Sequence, residues 1–121
     1  MGFNANSVRP NKVYKVLSAA ATVNGANVWA GPCNLHKLKL KVVKAASVFV
    51  HFYDKATAPV VGTDVPILTL ELATATYQDL DMQGLSFLLG LGVSFTGAIA
   101  DNDATALVAG DFTGLYLGFA A

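Results

Sequence analysis

Lys37-Leu38-Lys39-Leu40-Lys41-Val42 sets lysine on every odd position and an apolar residue on every even one. Side chains of an extended strand alternate between faces, so this stretch is a strand with one wet and one buried side. The same parity continues in Ser47–Tyr53, where Val48, Val50 and Phe52 share a face. Phe49, His51 and Tyr53 make an unusually aromatic face opposite them. Further along, Leu68, Leu70 and Leu72 alternate with Thr69 and Glu71.

Working outward, Val13–Leu17 reads as a strand, followed by a segment around Thr22–Trp29 in which Asn24-Gly25 is a turn signal. These two read as a hairpin. Leu85–Leu89, Gly92–Thr96 and Phe112–Phe119 supply the remaining strands. Thr74–Gly84, with two acids, reads as a polar connection, and Asp101-Asn102-Asp103 as a turn. Thr105–Ala109 has room for a short turn, and no run of ten residues carries a helical period. About eight short strands with turn-rich links predict an all-β, two-sheet sandwich, jelly-roll-like, with a closed barrel as the alternative. Residues 1–11 are Asn-rich, include Arg9-Pro10 and show no apolar period. They read as an extended N-terminal arm ahead of a single domain over 12–121.

Composition points to assembly. A chain of 121 residues buries about 65% of its unfolded surface when it folds alone. This one is 54% hydrophobic and 13% charged. About 25% charge is ordinary for a soluble domain. Apolar side chains left on the outside mark contacts with another chain. The net charge is zero, which argues against a nucleic-acid coat or an acidic membrane partner. Its distribution is uneven, however. Residues 1–53 hold Arg9, Lys12, Lys15, Lys37, Lys39, Lys41 and Lys44 and no acid, whereas beyond them Lys55 stands against eight acids. Either the lysine strand meets acidic loops of a neighbouring subunit, or the two halves pair within one sandwich.

The inventory for catalysis is thin. Cys33 and His36 lie three apart but lack a third ligand or a triad partner, and a lone cysteine excludes an internal disulfide. Asp101 and Asp103 lack the later Gly and Glu of a calcium loop. Asp79 and Asp81 read as solvated loop carboxylates, and the glycines from Gly84 to Gly97 precede no basic helix start. No catalytic residue, metal or cofactor is expected. The opening residues carry no secretory pattern, consistent with synthesis in a host cytoplasm. Leu85 to Ala100 is too short and glycine-broken for a spanning helix.

Four short motifs, in order, resemble small virion proteins of tailed bacteriophages: FYDKATAPVVGTDVP at 52–66, GLSF at 84–87, ADNDAT at 100–105 and AGD at 109–111. The resemblance covers roughly residues 50–117 and implies a jelly-roll subunit used as a head decoration (cement) protein or as a tail or baseplate part. It implies a location on the virion, self-association as a homotrimer, and the major capsid protein or another virion protein as partner. The candidate subunit or capsid contacts are Asn4, Ser7 and Arg9 of the arm, Lys37, Lys39 and Lys41 of the lysine strand, and Asp101 and Asp103 of the acidic turn. A carbohydrate-binding module is the reading from another class, with Trp29, Tyr53 and Tyr77 as stacking platforms.

Overall fold

The computed structural model describes residues 9–121. Eight strands follow in chain order: β1 (Lys12–Ser18), β2 (Ala26–Trp29), β3 (Cys33–Val42), β4 (Val48–Asp54), β5 (Leu68–Leu72), β6 (Tyr77–Phe87), β7 (Leu91–Thr96) and β8 (Phe112–Ala120). Sheet I has the order β1-β8-β3-β6 and sheet II the order β2-β7-β4-β5, with every pairing antiparallel. The pairs β1–β8, β2–β7, β3–β6 and β4–β5 are those of one long hairpin whose tip is the β4–β5 loop. Rolling that hairpin up adds the β3–β8 and β4–β7 contacts, and the result is a jelly roll.

The even-numbered apolar positions meet in the middle, as their alternation predicts. Leu38, Leu40 and Val42 from sheet I face Val48, Val50 and Phe52 from sheet II, all fully buried. Three aromatic pairs cross between the sheets: Phe95 with Phe112 at 4.7 Å between ring centroids, Phe52 with Phe87 at 6.4 Å, and Trp29 with Phe119 at 5.8 Å. Such offset and edge contacts add to the area buried.

Two sequence expectations fail here. The segments around Val13–Leu17 and Thr22–Trp29 are strands, but they do not pair as a hairpin, because β1 lies in sheet I and β2 in sheet II. Asn24 instead turns the corner between the sheets. Its φ is 51°, its side-chain oxygen accepts from Ala20 N at 2.8 Å, and its amide donates to the carbonyls of Ala20 and Thr22. Asn tolerates this left-handed geometry and bonds its own backbone, so an Asn-Gly signal marks a turn without saying what the turn joins. Thr74–Gly84, expected as a connection, contributes most of β6, and Leu88 and Leu89 fall in the turn after it. In β6 Leu80 and Met82 pack on the core while Tyr77, Asp79 and Asp81 face outward. This is the edge strand of sheet I, where charged side chains discourage pairing with other chains.

Antiparallel pairing sends the β1–β2, β3–β4, β5–β6 and β7–β8 links to one end of the sandwich. These links are stitched by Val43 N to Asp111 O at 2.8 Å, Gly110 N to Ala19 O at 2.9 Å and Thr74 Oγ1 to Lys44 O at 2.7 Å. The other end holds the remaining links and the point where Asn11 and Ala121 bond reciprocally at 3.3 and 3.2 Å.

Candidate functional site

Each sheet has an outward face, and the two are built differently. On sheet II, Phe49, His51 and Tyr53 of β4 point away from the core, yet His51, Tyr53, Ser94 and Thr96 are all buried. The β4–β5 and β7–β8 loops roof them. Pro59 lies 3.5 Å from a Cβ placed on Gly92, and Ala104 lies 3.5 Å from one placed on Gly62. The first loop is tied by Asp64, which accepts from Lys55 Nζ at 2.6 Å and Val60 N at 2.7 Å. The second is tied by Asp103, which accepts from Ala98 N, Thr105 N and Thr105 Oγ1.

Under this roof the imidazole of His51 lies between two hydroxyls, with Nδ1 2.8 Å from Thr69 Oγ1 and Nε2 2.7 Å from Thr96 Oγ1. Thr96 spends its proton on Ala98 O at 3.0 Å. Its oxygen therefore accepts from Nε2–H, and Nδ1 accepts from the Thr69 hydroxyl. Burial holds the His51 pKa below its ordinary value, although Asp103 and Asp101 pull it up. The Tyr53 hydroxyl is 3.0 Å from Ser94 Oγ, and burial raises its pKa against that hydrogen bond. Both groups are paired and sealed from solvent, an arrangement that staples β4 to its neighbours and offers no opening to a substrate.

At the end of β4, Asp54 accepts from three consecutive N–H groups: Leu88 at 3.1 Å, Leu89 at 2.7 Å and Gly90 at 3.2 Å. Partial burial opposes ionisation, but these donors outweigh it and lower the pKa. The clamp fixes a tight turn that holds Leu88 and Leu89 out in solvent. Nothing in the sequence pattern marked Asp54 for this role; an acid directly after an aromatic strand was the only signal.

The outward face of sheet I carries Lys37, Lys39 and Lys41 on β3, Tyr116 on β8, and Asp79 and Asp81 on β6. The cross-strand register sets Lys37 opposite Asp81 and Lys39 opposite Asp79. Lys37 Nζ reaches Asp79 diagonally at 2.7 Å, which raises the pKa of the lysine and lowers that of the acid. Asp79 and Asp81 are thus strand residues of a charge ladder and not loop carboxylates. The basic and acidic halves of the sequence meet here inside one subunit.

Asn4 and Ser7 lie outside the described residues. Arg9 is exposed ahead of Pro10. Asp101 and Asp103 sit in the β7–β8 loop over sheet II, on the opposite side of the sandwich from the three lysines. Cys33 and His36 are not brought together either. The thiol lies in the core, where burial and the charge of Asp54 push its pKa up to about 11, while the imidazole is on the outer face of sheet I. Trp29, Tyr53 and Tyr77 form no shared platform. Trp29 packs on Phe119 under Lys12, whose Nζ is 5.1 Å from its ring, Tyr53 is buried, and Tyr77 stands exposed on the other sheet. Among the described residues no group of three or more His, Cys, Asp or Glu is placed to hold a metal, and no helix is long and apolar enough to cross a membrane.

No family model and no curated protein matches this chain. Similar solved structures include the tobacco streak virus coat protein at 14% identity and a TM-score of 0.43, over 100% of this chain and 90% of that one. A second structure of that coat protein, a dimer, matches at 15% identity and 0.45, over 99% and 89%. A protein of Bacillus endospore appendages, described as disulfide-linked pili, matches at 20% and 0.48, over 98% and 94%. Likenesses this distant assign neither a family nor a role.

Proposed function

We propose that this chain is a structural subunit of a bacteriophage virion, a decoration (cement) protein that sits on the head shell as a homotrimer. The observation that carries the reading is where the apolar surface lies. Among the described residues, Leu17, Val43, Ile99 and Val108 are exposed at one end of the sandwich, and Val60, Val65, Ile67, Leu88 and Leu89 at the other. Leu17 is 88% exposed and Leu88 74%. A chain with 13% charge has little to screen such ends with, and closed symmetry is the usual way to cover them. The jelly roll is a fold used for shells, though fold alone assigns no role. The ordered motifs between residues 52 and 111 supply the link to tailed-phage virions. The arm residues Asn4, Ser7 and Arg9 are then contacts to the major capsid protein, and Asp101 and Asp103 contacts near the roofed face.

Light scattering coupled to size exclusion tests the assembly step, with a trimer expected and a monodisperse monomer at micromolar concentration counting against it. Electron cryomicroscopy of purified particles tests the place. Density on the head in hundreds of copies supports the cement role, whereas a few tens of copies on the tail moves the protein to the tail or baseplate.

A further inference from the structure

Sheet I has a flaw in its ladder that nothing in the assembly role requires. Against β8, His36 is an extra residue between the pairs Leu35–Phe119 and Lys37–Gly118. Against β6, the single residue His36 faces the three residues Met82–Gly84, between the pairs Leu35–Leu85 and Lys37–Asp81. Gln83 and Gly84 both take positive φ there, 55° and 73°. A non-glycine residue in that region is uncommon, and bulges recur where a strand must re-aim a side chain. Here the double bulge puts His36 and Lys37 on the same outward side. It opens a depression of about 470 Å³, lined by Pro10, His36, Lys37, Lys39, Asp81 and Tyr116. His36 Nε2 is buried at its wall with no hydrogen-bond partner. An unpaired buried group is uncommon, and this one is closed to solvent, so it marks the irregular packing at the double bulge and is not itself reached from the depression.

The lining chooses among ligand classes. Lys37 is engaged by Asp79, whereas Lys39 makes no ion pair among the described residues. Asp81 spends one carboxylate oxygen on Gln83 N at 2.8 Å and keeps the other. Lys39 and Asp81 present one free charge of each sign, so a small anion or a cation meets a repulsion here as well as an attraction. A neutral polyol meets neither penalty and can use every group. Its hydroxyls donate to Asp81 and accept from Lys39 and the Tyr116 phenol, while a sugar ring's C–H face rests on Tyr116 and Pro10. The volume falls within the range of small-molecule sites, which begins at about 300 Å³.

We propose that this depression binds a neutral carbohydrate, one pyranose unit of a glycan chain, with Asp81, Lys39 and Tyr116 as its polar contacts. The site uses none of Trp29, Tyr53 and Tyr77.

The test is a titration of the full-length protein followed by ¹H–¹⁵N NMR. The probes are the methyl glycosides of glucose, galactose, mannose and N-acetylglucosamine, with inorganic phosphate and glucuronate as anionic probes and glucosamine as the cationic one. At least one neutral glycoside should shift the amides of His36, Lys39 and Tyr116 and saturate with a Kd of about 1 mM, the strength of a few exposed hydrogen bonds. Asp81→Asn and Tyr116→Phe should each weaken that binding about fivefold, the loss of one hydrogen bond, at unchanged melting temperature. The proposal is overturned if phosphate, glucuronate or glucosamine shifts these amides and the neutral glycosides do not. It is overturned equally if no probe shifts them, or if both variants bind as the parent does.

Discussion

The outward faces of the two sheets start from the same strand geometry and end in opposite states. On β3 the outward positions are lysines in water; on β4 the corresponding positions are Phe49, His51 and Tyr53, the last two as buried as the core. The difference lies in what the loops do. The β4–β5 and β7–β8 loops are long enough to fold back over sheet II, and Asp64 and Asp103 brace them internally in that shape. Within the described chain no loop of that length rises over sheet I, and its face is left to side-chain charge. Strand alternation therefore reports two faces, but only loop length and anchoring decide whether the second face is surface or interior.

The sharpest way to break this comparison is at the glycines. A Cβ on Gly90, where the Asp54-clamped turn packs against the ends of β2 and β4, would sit 2.6 Å from Trp29 O and clash as well with Lys55 O and Ala56 Cα. Those atoms are backbone and cannot swing aside, so Gly90→Ala should cost about 4 kcal/mol or more and leave little folded protein in a urea titration. Its counterpart on sheet I is Gly114, at a bulge where a Cβ meets nothing within 4 Å but φ is 64°.

His51→Ala comes next. It empties the sealed space under the roof and leaves the Thr69 hydroxyl without its acceptor, and a loss of about 3 kcal/mol is expected from urea midpoints. A loss below about 1 kcal/mol would mean that the roof is loose and the two faces are less different than described.

Acid should loosen sheet II before sheet I. Folded His51 binds a proton less readily than the unfolded chain, whose histidine titrates near 6.5. Its stabilising neutral form is fully present above that pH and is lost progressively below it, down to the lower folded value. Asp54 and Asp103, with lowered pKa values, add a second loss only below about pH 4. Amide protection factors should therefore fall below about pH 6.5 for 94–105 ahead of 37–41, and the fall should vanish in His51→Gln. Equal protection of both segments at that pH would remove the distinction.

On the bare face the effects are small. Gly114→Ala should cost about 1 kcal/mol, the strain of a left-handed alanine with no clash added. Replacing Lys37, Lys39 and Lys41 together by Gln should leave the urea midpoint nearly unchanged, because the Lys37–Asp79 pair is exposed and screened. In a loading assay on particles lacking the protein, association of this variant should slow at low salt if these lysines touch the capsid. Loading at the parental rate would leave them as half of an internal ladder.

Much of this was legible in the chain itself. Periodicity fixed the strand count and the faces of β3 and β4, because the backbone alternates side chains whatever surrounds it. The low charge pointed to apolar surface, though not to its place at the two ends of the sandwich. The polar start of β6 was not legible, since Gln78, Asp79 and Asp81 favour turns and only the edge position makes them tolerable in a strand. The Asn24-Gly25 turn was visible, but not that it joins two sheets.

What the sequence determined by itself is local: extended segments, their parity, and the sites where the chain must turn. The tertiary structure alone decided which strands are neighbours, that Lys37 and Lys39 face Asp81 and Asp79, that His51 lies sealed between Thr69 and Thr96, and that a double bulge opens a depression at His36. Each of these depends on contacts between residues distant in the chain. Register and loop cover come from the joint packing of both sheets, and no local propensity encodes that.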